Sequence, residues 1–243
     1  MQSADRALAI LAAFNEGRQD VGVSELAAEL GMHKSTISRL LATLEGRGLV
    51  RRVEDRFVPG WELARLGALA MRGFALVGTA REGMERLAHE TGETVNLAVR
   101  DDGRALNVHQ VNSAHFVGVT DWTGRAAPLH ATANGKVLLA FGDGGLPREL
   151  TRLTRRTITD RGDLRAELDR VRREGIAVAL EELELGLHAV AAPVFDCFGA
   201  CVAAISVSGP AYRLTERRLV EVGELCVETS NDVSTRLGHR RAA

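Results

Sequence analysis

Apolar positions recur with a helical period through the first quarter of the chain. In residues 4–14, Ala7, Ile10, Leu11 and Phe14 fall on one helical face. Leu26 and Leu30, four residues apart, mark a second short helix. Ser24 is placed to cap it, Glu25 suits its first turn, and Gly31 is placed to stop it. Ala27 stands where a capping box from Ser24 would need Glu or Gln. A third helix starts near Lys34, with Ile37, Leu40, Leu41 and Leu44 on its inner face. Two short strands follow, residues 49–53 and 56–60, with Glu54 and Asp55 as the turn between them. Three helices and a hairpin make a winged helix-turn-helix, so residues 1–60 are expected to form one DNA-binding domain.

The outer face of the third helix carries Lys34, Ser35, Ser38, Arg39 and Thr43, with no acid before Glu45. A major groove admits one helix, and a helix N-terminus turns free N–H groups toward phosphates. Arg39 is placed to donate two bonds to a guanine edge, and Ser35, Thr36 and Ser38 to bond bases or phosphates. Arg51, Arg52 and Arg56 lie on the wing, within reach of backbone phosphates. Ser24 and His33, at the two helix starts, complete the candidate DNA-binding set. Between His33 and Arg56 the cations are Lys34, Arg39, Arg47, Arg51, Arg52 and Arg56, against the acids Glu45, Glu54 and Asp55. This local excess suits phosphate contact. The plain alternative is a helical hairpin with a solvated polar face.

Residues 61–76 are helical in composition and form the expected linker helix. Trp61, Leu63, Leu66, Leu69 and Ala70 are placed to bury against a partner subunit or the first helix, the former preferred. Gly67, Gly73 and Gly78 interrupt the pattern, so two helices are expected in place of one rod. Residues 77–243 are expected to be a second domain. Its reading is a helix over 77–91, strands over 94–100 and 105–111, and a possible third strand over 116–120. A loop then runs through Gly124 and Pro128 to a short helix over 134–140, and Pro147 is placed to start another. A helix over 163–174, a strand over 176–179, a hairpin over 190–208 and a last helix capped by Thr215 complete it. Antiparallel strands with helices packed on them are an α+β domain.

The 243 residues carry a net charge of −1, with 45% hydrophobic and 26% charged positions. Such a chain is no basic coat for nucleic acid, and any DNA contact is confined to one patch. Three cysteines without a signal peptide point to the cytoplasm and against a disulfide framework. No apolar run is long enough to span a membrane.

Four segments in order, PLHATANGKVLLA (128–140), RTITDRGDLRAELDRVRREGIAV (156–178), EELELGLHAVAAPVFD (181–196) and AAISVSGPAYRLTE (203–216), resemble the effector-binding domain of the IclR family of bacterial transcription regulators. The N-terminal winged helix is similar to that family's DNA-binding domain. The resemblance implies a GAF/PAS-like α+β domain that binds a small organic acid, and a homodimer or tetramer on a palindromic operator. It also implies repression, and sometimes activation, of a neighbouring catabolic operon, with no cofactor. Transferred residue by residue, the pocket is Ala133, Asn134, Ala189, Ser206 and Ser208, with Phe116, Val117 and Trp122 as an apolar wall. Ser206 and Ser208 alternate with Ile205 and Val207, so both face one side of a strand. Relatives often carry an acid where Ala179 stands, some carry Cys at the place of Ala189, and small apolar residues are usual at Asn134. These departures imply either a ligand unlike the small keto acids some relatives sense or an effector site that is altered or lost.

Two rivals stand beside this reading. One is an enzyme or metal sensor built on His109, His130, His188, Cys197 and Cys201. Cys197, Cys201 and His188 give three candidate ligands without a fourth, and no nucleophile elbow or phosphate loop accompanies them. The other is a winged helix that contacts protein instead of DNA. The hydroxyl-and-arginine face and the basic wing argue against it.

Overall fold

In a computed structural model, which describes residues 2–14, 18–73, 75–113 and 120–239, the chain divides into two compact units, Met1–Phe74 and Ala75–Ala243. In the first, α1 (Gln2–Ala12), α2 (Val23–Glu29) and α3 (Lys34–Gly46) precede a ribbon of β1 (Val50–Val53) and β2 (Arg56–Pro59), followed by α4 (Trp61–Gly73). Ile10, Leu26, Ile37 and Leu41 are fully buried together, with Leu44, Val50 and Phe57 beside them. Leu40 and Leu30 close the edge of this cluster. Gly31 takes φ +62°, the left-handed turn that lets α2 stop and α3 begin. α3 starts at Lys34, as expected, with His33 as its N-cap, accepting from the Ser35 N–H.

The start of α2 differs from its sequence reading. Gly22 is the N-cap and Ser24 lies inside the helix, exposed. Glu25 therefore takes the third helical position, and its carboxylate accepts from the Gly22 N–H at 3.4 Å. Val21 fixes this entry by exchanging two backbone bonds with Phe57 of the wing (2.8 and 2.9 Å), which leaves no extended residue for Ser24 to cap from. Trp61 is 81% exposed and Leu66 44% exposed, so neither is buried on α1. The side chains of Leu69 and Ala70 lie outside the described residues.

The second unit is a six-stranded antiparallel sheet in the order β5-β4-β3-β8-β7-β6. The strands are β3 (Thr94–Asp101), β4 (Arg104–Val111), β5 (Ala126–Pro128), β6 (Ala177–Leu180), β7 (Leu187–Phe195) and β8 (Cys201–Pro210). β5 falls where a loop was expected. Three residues are too few to show a period, and this edge strand is defined by pairing with Arg104, Ala105 and Leu106. The expected strand over 116–120 lies outside the described residues, except Thr120, which is irregular. No helix begins at Pro147; residues 142–160 are irregular, partly stapled by Thr157, whose hydroxyl donates to the Glu182 carbonyl at 2.7 Å.

Alternation sorts the two sheet faces by size. Val95, Leu97, Val190, Val194, Ile205 and Val207 pack with α5 (Ala75–Thr91) and α8 (Glu216–Arg236). The opposite face carries Ala177, Ala179, Ala191 and Ala204, under α6 (Ala133–Phe141) and α7 (Arg161–Glu174). A 3₁₀ turn, Leu129–Ala131, leads into α6 so closely that a Cβ on Gly135 would fall 2.2 Å from the Leu129 carbonyl oxygen.

Gly135→Ala should therefore destabilise the protein by roughly 1–3 kcal/mol, the cost of overpacking. Gly67→Ala, in α4 with nothing within 4 Å of the added methyl, should stabilise it by about 0.5–1 kcal/mol. Urea unfolding of the two variants against wild type checks the opposite signs.

Candidate nucleic-acid interface and ligand pocket

On α3 the structure brings together an exposed row of Lys34, Ser35, Ser38, Arg39 and Thr43, with Thr36 half-buried beside it. His33 and Ser35 engage each other at 2.8 Å, and the Thr43 hydroxyl donates back to the Arg39 carbonyl at 2.9 Å. These bonds fix side chains at the helix start and flank. Among the described residues, the side chains of Lys34, Arg39, Arg47 and Arg51 make no hydrogen bond or ion pair. They are free cations on α3, its C-terminal turn and the wing.

The wing arginines differ among themselves. Arg51 is exposed and unengaged. Arg52 donates from Nε to the Glu54 carbonyl at 2.9 Å and lies 6.0 Å from the Phe57 ring centroid. Arg56 departs from its assignment as a phosphate contact. Its Nε donates to Asp20 at 2.8 Å, and its two terminal nitrogens grip both oxygens of Glu25 at 2.8 and 2.9 Å. This fork leaves no free edge for a phosphate. It ties the wing to the start of α2, and Arg18 adds ion pairs to Glu25 and Glu29. Hydrogen bonds from Arg56, then from the Gly22 N–H, draw the Glu25 carboxyl down to about 2. The two arginines gather Asp20, Glu25 and Glu29 among themselves, which leaves the free cations of α3 and β1 unopposed by these acids.

In the second unit, Trp122, Ala133, Asn134, Ala189, Ser206 and Ser208 line a single open pocket of about 580 Å³ including its mouth. Phe116 and Val117 lie outside the described residues. Strand register explains the convergence. Ser206 pairs with Asn96 on one side and Ala191 on the other, while Ser208 pairs with Thr94 and Ala189. Alternate residues share a face, so both hydroxyls stand on the small-residue side. The N-terminus of α6 points at the same space. Thr132 caps it by accepting from the Gly135 N–H at 3.0 Å, and the first-turn N–H groups of Ala133 and Asn134 have no intrahelical partner.

Four polar lining residues were not anticipated from the sequence: Asn96, Asn107, Thr132 and Glu182. Asn96 donates to the Ser208 hydroxyl at 3.3 Å. Glu182 is held by Lys136, whose ammonium is 1% exposed and donates to Glu182 at 2.6 Å, the Val178 carbonyl at 2.9 Å and Glu167 at 3.1 Å. Burial raises the Glu182 carboxyl above its ordinary range, and Lys136 opposes that rise without cancelling it. The sequence signal for Asn96 is a polar residue between Val95 and Leu97 in a buried strand. For Lys136 it is a cation in an otherwise apolar helix, ANGKVLLAF.

The histidines and cysteines weighed as an enzyme or metal site do not converge. His188 and His130 each donate to a carbonyl, of Leu214 and Thr151. Burial pushes the Cys201 and Cys226 thiols up to about 12, where little thiolate exists at neutral pH. Among the described residues no three His, Cys, Asp or Glu side chains form a metal-sized cluster, and no helix is long and apolar enough to cross a membrane.

Comparison with known proteins agrees over nearly the whole chain. A model of the bacterial transcriptional regulator IclR C-terminal region matches residues 69–235, and a model of the IclR helix-turn-helix domain matches residues 3–54. The chain is 34% identical to the HTH-type transcriptional regulator KdgR of Escherichia coli K12, covering 95% of this chain and 90% of KdgR. It is 35% identical to the HTH-type transcriptional repressor AllR of Klebsiella pneumoniae, covering 98% and 90%. The crystal structure of Thermotoga maritima IclR aligns with a TM-score of 0.78 at 32% identity, over 98% of this chain and 100% of that one.

The Arg56–Glu25 fork has a pH consequence. Glu25 sits at about 2 in the folded chain against an ordinary 4.5, so its stabilising contribution is full above pH 4.5 and is lost as pH falls toward 2. Arg56→Ala should lower the thermal midpoint of the N-terminal unit at pH 7 and differ little from wild type near pH 2. Arg51→Ala should leave the midpoint unchanged at both pH values. Melting curves at the two pH values check this.

Proposed function

The chain belongs to the IclR family of bacterial transcriptional regulators, and on that premise we propose that it is a cytoplasmic repressor whose grip on a palindromic operator is gated by a small organic acid. Family members are DNA-binding transcription factors, so the chain is not an enzyme. In this reading residues 1–60 bind DNA, residues 61–76 link, and residues 77–243 bind the effector and assemble the chain into a dimer or tetramer. Repression is supported by the named role of AllR.

The observation that carries the reading is the single pocket shared by Ser206, Ser208 and the start of α6. Two hydroxyl donors and the unpaired N–H groups of Ala133 and Asn134 suit a carboxylate, helped by the positive end of the helix. Trp122 and the alanines of the sheet face give the acid's carbon skeleton an apolar bed. In the N-terminal unit, α3 offers Arg39 and Lys34 free of internal partners. Arg39 reads a guanine edge, and Ser35 and Ser38 contact bases or phosphates. Lys34 and Arg51 anchor on phosphates, with the free terminal nitrogens of Arg52. Arg56 is withdrawn from that role and instead holds the wing against α2.

Arg39→Ala should cost about 1–3 kcal/mol on the operator and relax preference at one base pair, as loss of a bidentate base contact does. Arg51→Ala should weaken all DNA about equally and reduce the salt slope by about 1. Titrations of operator and scrambled duplexes at two salt concentrations separate these effects. If both variants lost affinity alike on every sequence, the division into base reading and phosphate anchoring would be wrong.

A further inference from the structure

Resting on the effector reading above, we infer that this pocket takes up a proton from solvent together with its acid, and that Glu182 receives it. The observation behind this is a mismatch of charge. Among the described residues that line the pocket, Glu182 is the single one with a formal charge, and it is an acid; the lining holds no lysine or arginine. An anion at the serines and the α6 N-terminus therefore shares its cavity with a carboxylate that is 7% exposed. Two like charges in one site raise the proton affinity of one of them.

The groups around Glu182 do not supply the missing positive charge. Lys136 of α6 meets Glu182 at 2.6 Å and Glu167 of α7 at 3.1 Å. Arg170 of α7 is divided between Glu167 and Glu174. Arg156, which lines an outer cleft with Glu182, pairs with Glu181 at 3.0 Å. His188 of β7, opposite Leu180 of β6, donates to the Leu214 carbonyl. Glu167, Glu174 and Glu182 thus face only Lys136 and Arg170 before any ligand enters. The ligand's carboxylate makes the excess two negative charges, and a proton on Glu182 returns it to one. The network can hold that proton in place. Oε1 keeps the Lys136 ammonium, while Oε2 has no partner, and Lys136 retains Glu167 and the Val178 carbonyl. Burial already raises the Glu182 carboxyl above its ordinary range, which brings its titration toward neutral pH. The spacing sets the size of the effect. Ala179 of β6, Ala189 of β7 and Ser208 of β8 are successive register partners, so about 10 Å of sheet separates Glu182's strand from the serines. A unit charge at that distance changes the proton affinity of Glu182 roughly tenfold, at an effective dielectric constant of about 20.

The test is calorimetric titration of the full chain with benzoate and phenylacetate, and with the neutral benzamide and phenylacetamide. The range is about pH 5.5–7.5, where ordinary carboxylic acids are ionised. Repeating each titration in buffers of low and high ionisation heat counts the protons taken up. At least one acid should bind with an uptake that peaks at about half a proton, the maximum for a tenfold change in proton affinity. Its affinity should fall by up to about tenfold as pH rises through the range. An amide that binds should do so without uptake, and Glu182→Gln should bind the acid with none. Acid binding without uptake at every pH would overturn the inference while leaving the organic-acid reading intact. So would equal uptake with an amide, or uptake that survives Glu182→Gln. Binding of neither acid would overturn both. The comparison of acid with amide uses the wild-type chain and needs no variant to fold.

Discussion

A buried ammonium holds the pocket together. An unpaired ion in a protein interior costs several kcal/mol, and Lys136 escapes this by matching each of its three protons to an acceptor: Glu182, Glu167 and the Val178 carbonyl. Those partners lie on three different parts of the chain, the turn after β6, helix α7 and strand β6. Arg170 closes the far side of Glu167 with two bonds at 2.9 and 3.0 Å. The alternating charges fix α6 along its length, while Gly135 lets its first turn sit against the Leu129 carbonyl. The same network that anchors the helix thus aims its N-terminus at the serines of β8 and holds Glu182 in the pocket lining.

The cavity exists because the sheet is asymmetric. Along β7 and β8 large and small residues alternate, so Val190, Val194, Ile205 and Val207 build a tight core with α5 and α8, while Ala189, Ala191, Ala204, Ser206 and Ser208 leave the other face shallow. Helices laid over methyl and hydroxyl groups cannot fill that face completely, and the remaining space is polar at both ends. The N-terminal unit uses charge in a parallel way. Its acids near α2 are gathered by Arg18 and Arg56, and Lys34 and Arg39 of α3 and Arg51 of β1 are left free.

The elements with long, regular periods were legible in the sequence. The stripe Ile37, Leu41, Leu44 placed α3, Asp163 to Glu174 placed most of α7, and Thr215 marked the start of α8. What failed was set by contacts distant along the chain. Ser24 lost the cap because Val21 pairs with Phe57, thirty-six positions on, and β5 is a strand only by virtue of β4. Arg56 looks like a wing cation in sequence and becomes internal only when the fold brings Asp20 and Glu25 beside it. In the pocket, Ala133, Asn134, Ala189, Ser206 and Ser208 were readable from resemblance, and alternation added that the two serines share a face. Glu182 was not, because the chain after β6 turns back at Glu181, whose φ is +57°, and no periodicity foretells that turn.

The account rests on coupling between an occupied pocket and DNA affinity, and coupling is reciprocal by thermodynamic necessity. The direct measurement is a pair of titrations at one fixed salt concentration: operator affinity with and without a saturating pocket acid, and acid affinity with and without saturating operator. A ligand-gated regulator predicts the same factor in both, on the order of 5–150-fold for ordinary allosteric coupling. An acid that binds in the pocket yet leaves operator affinity unchanged, with the reverse factor also one, would contradict it.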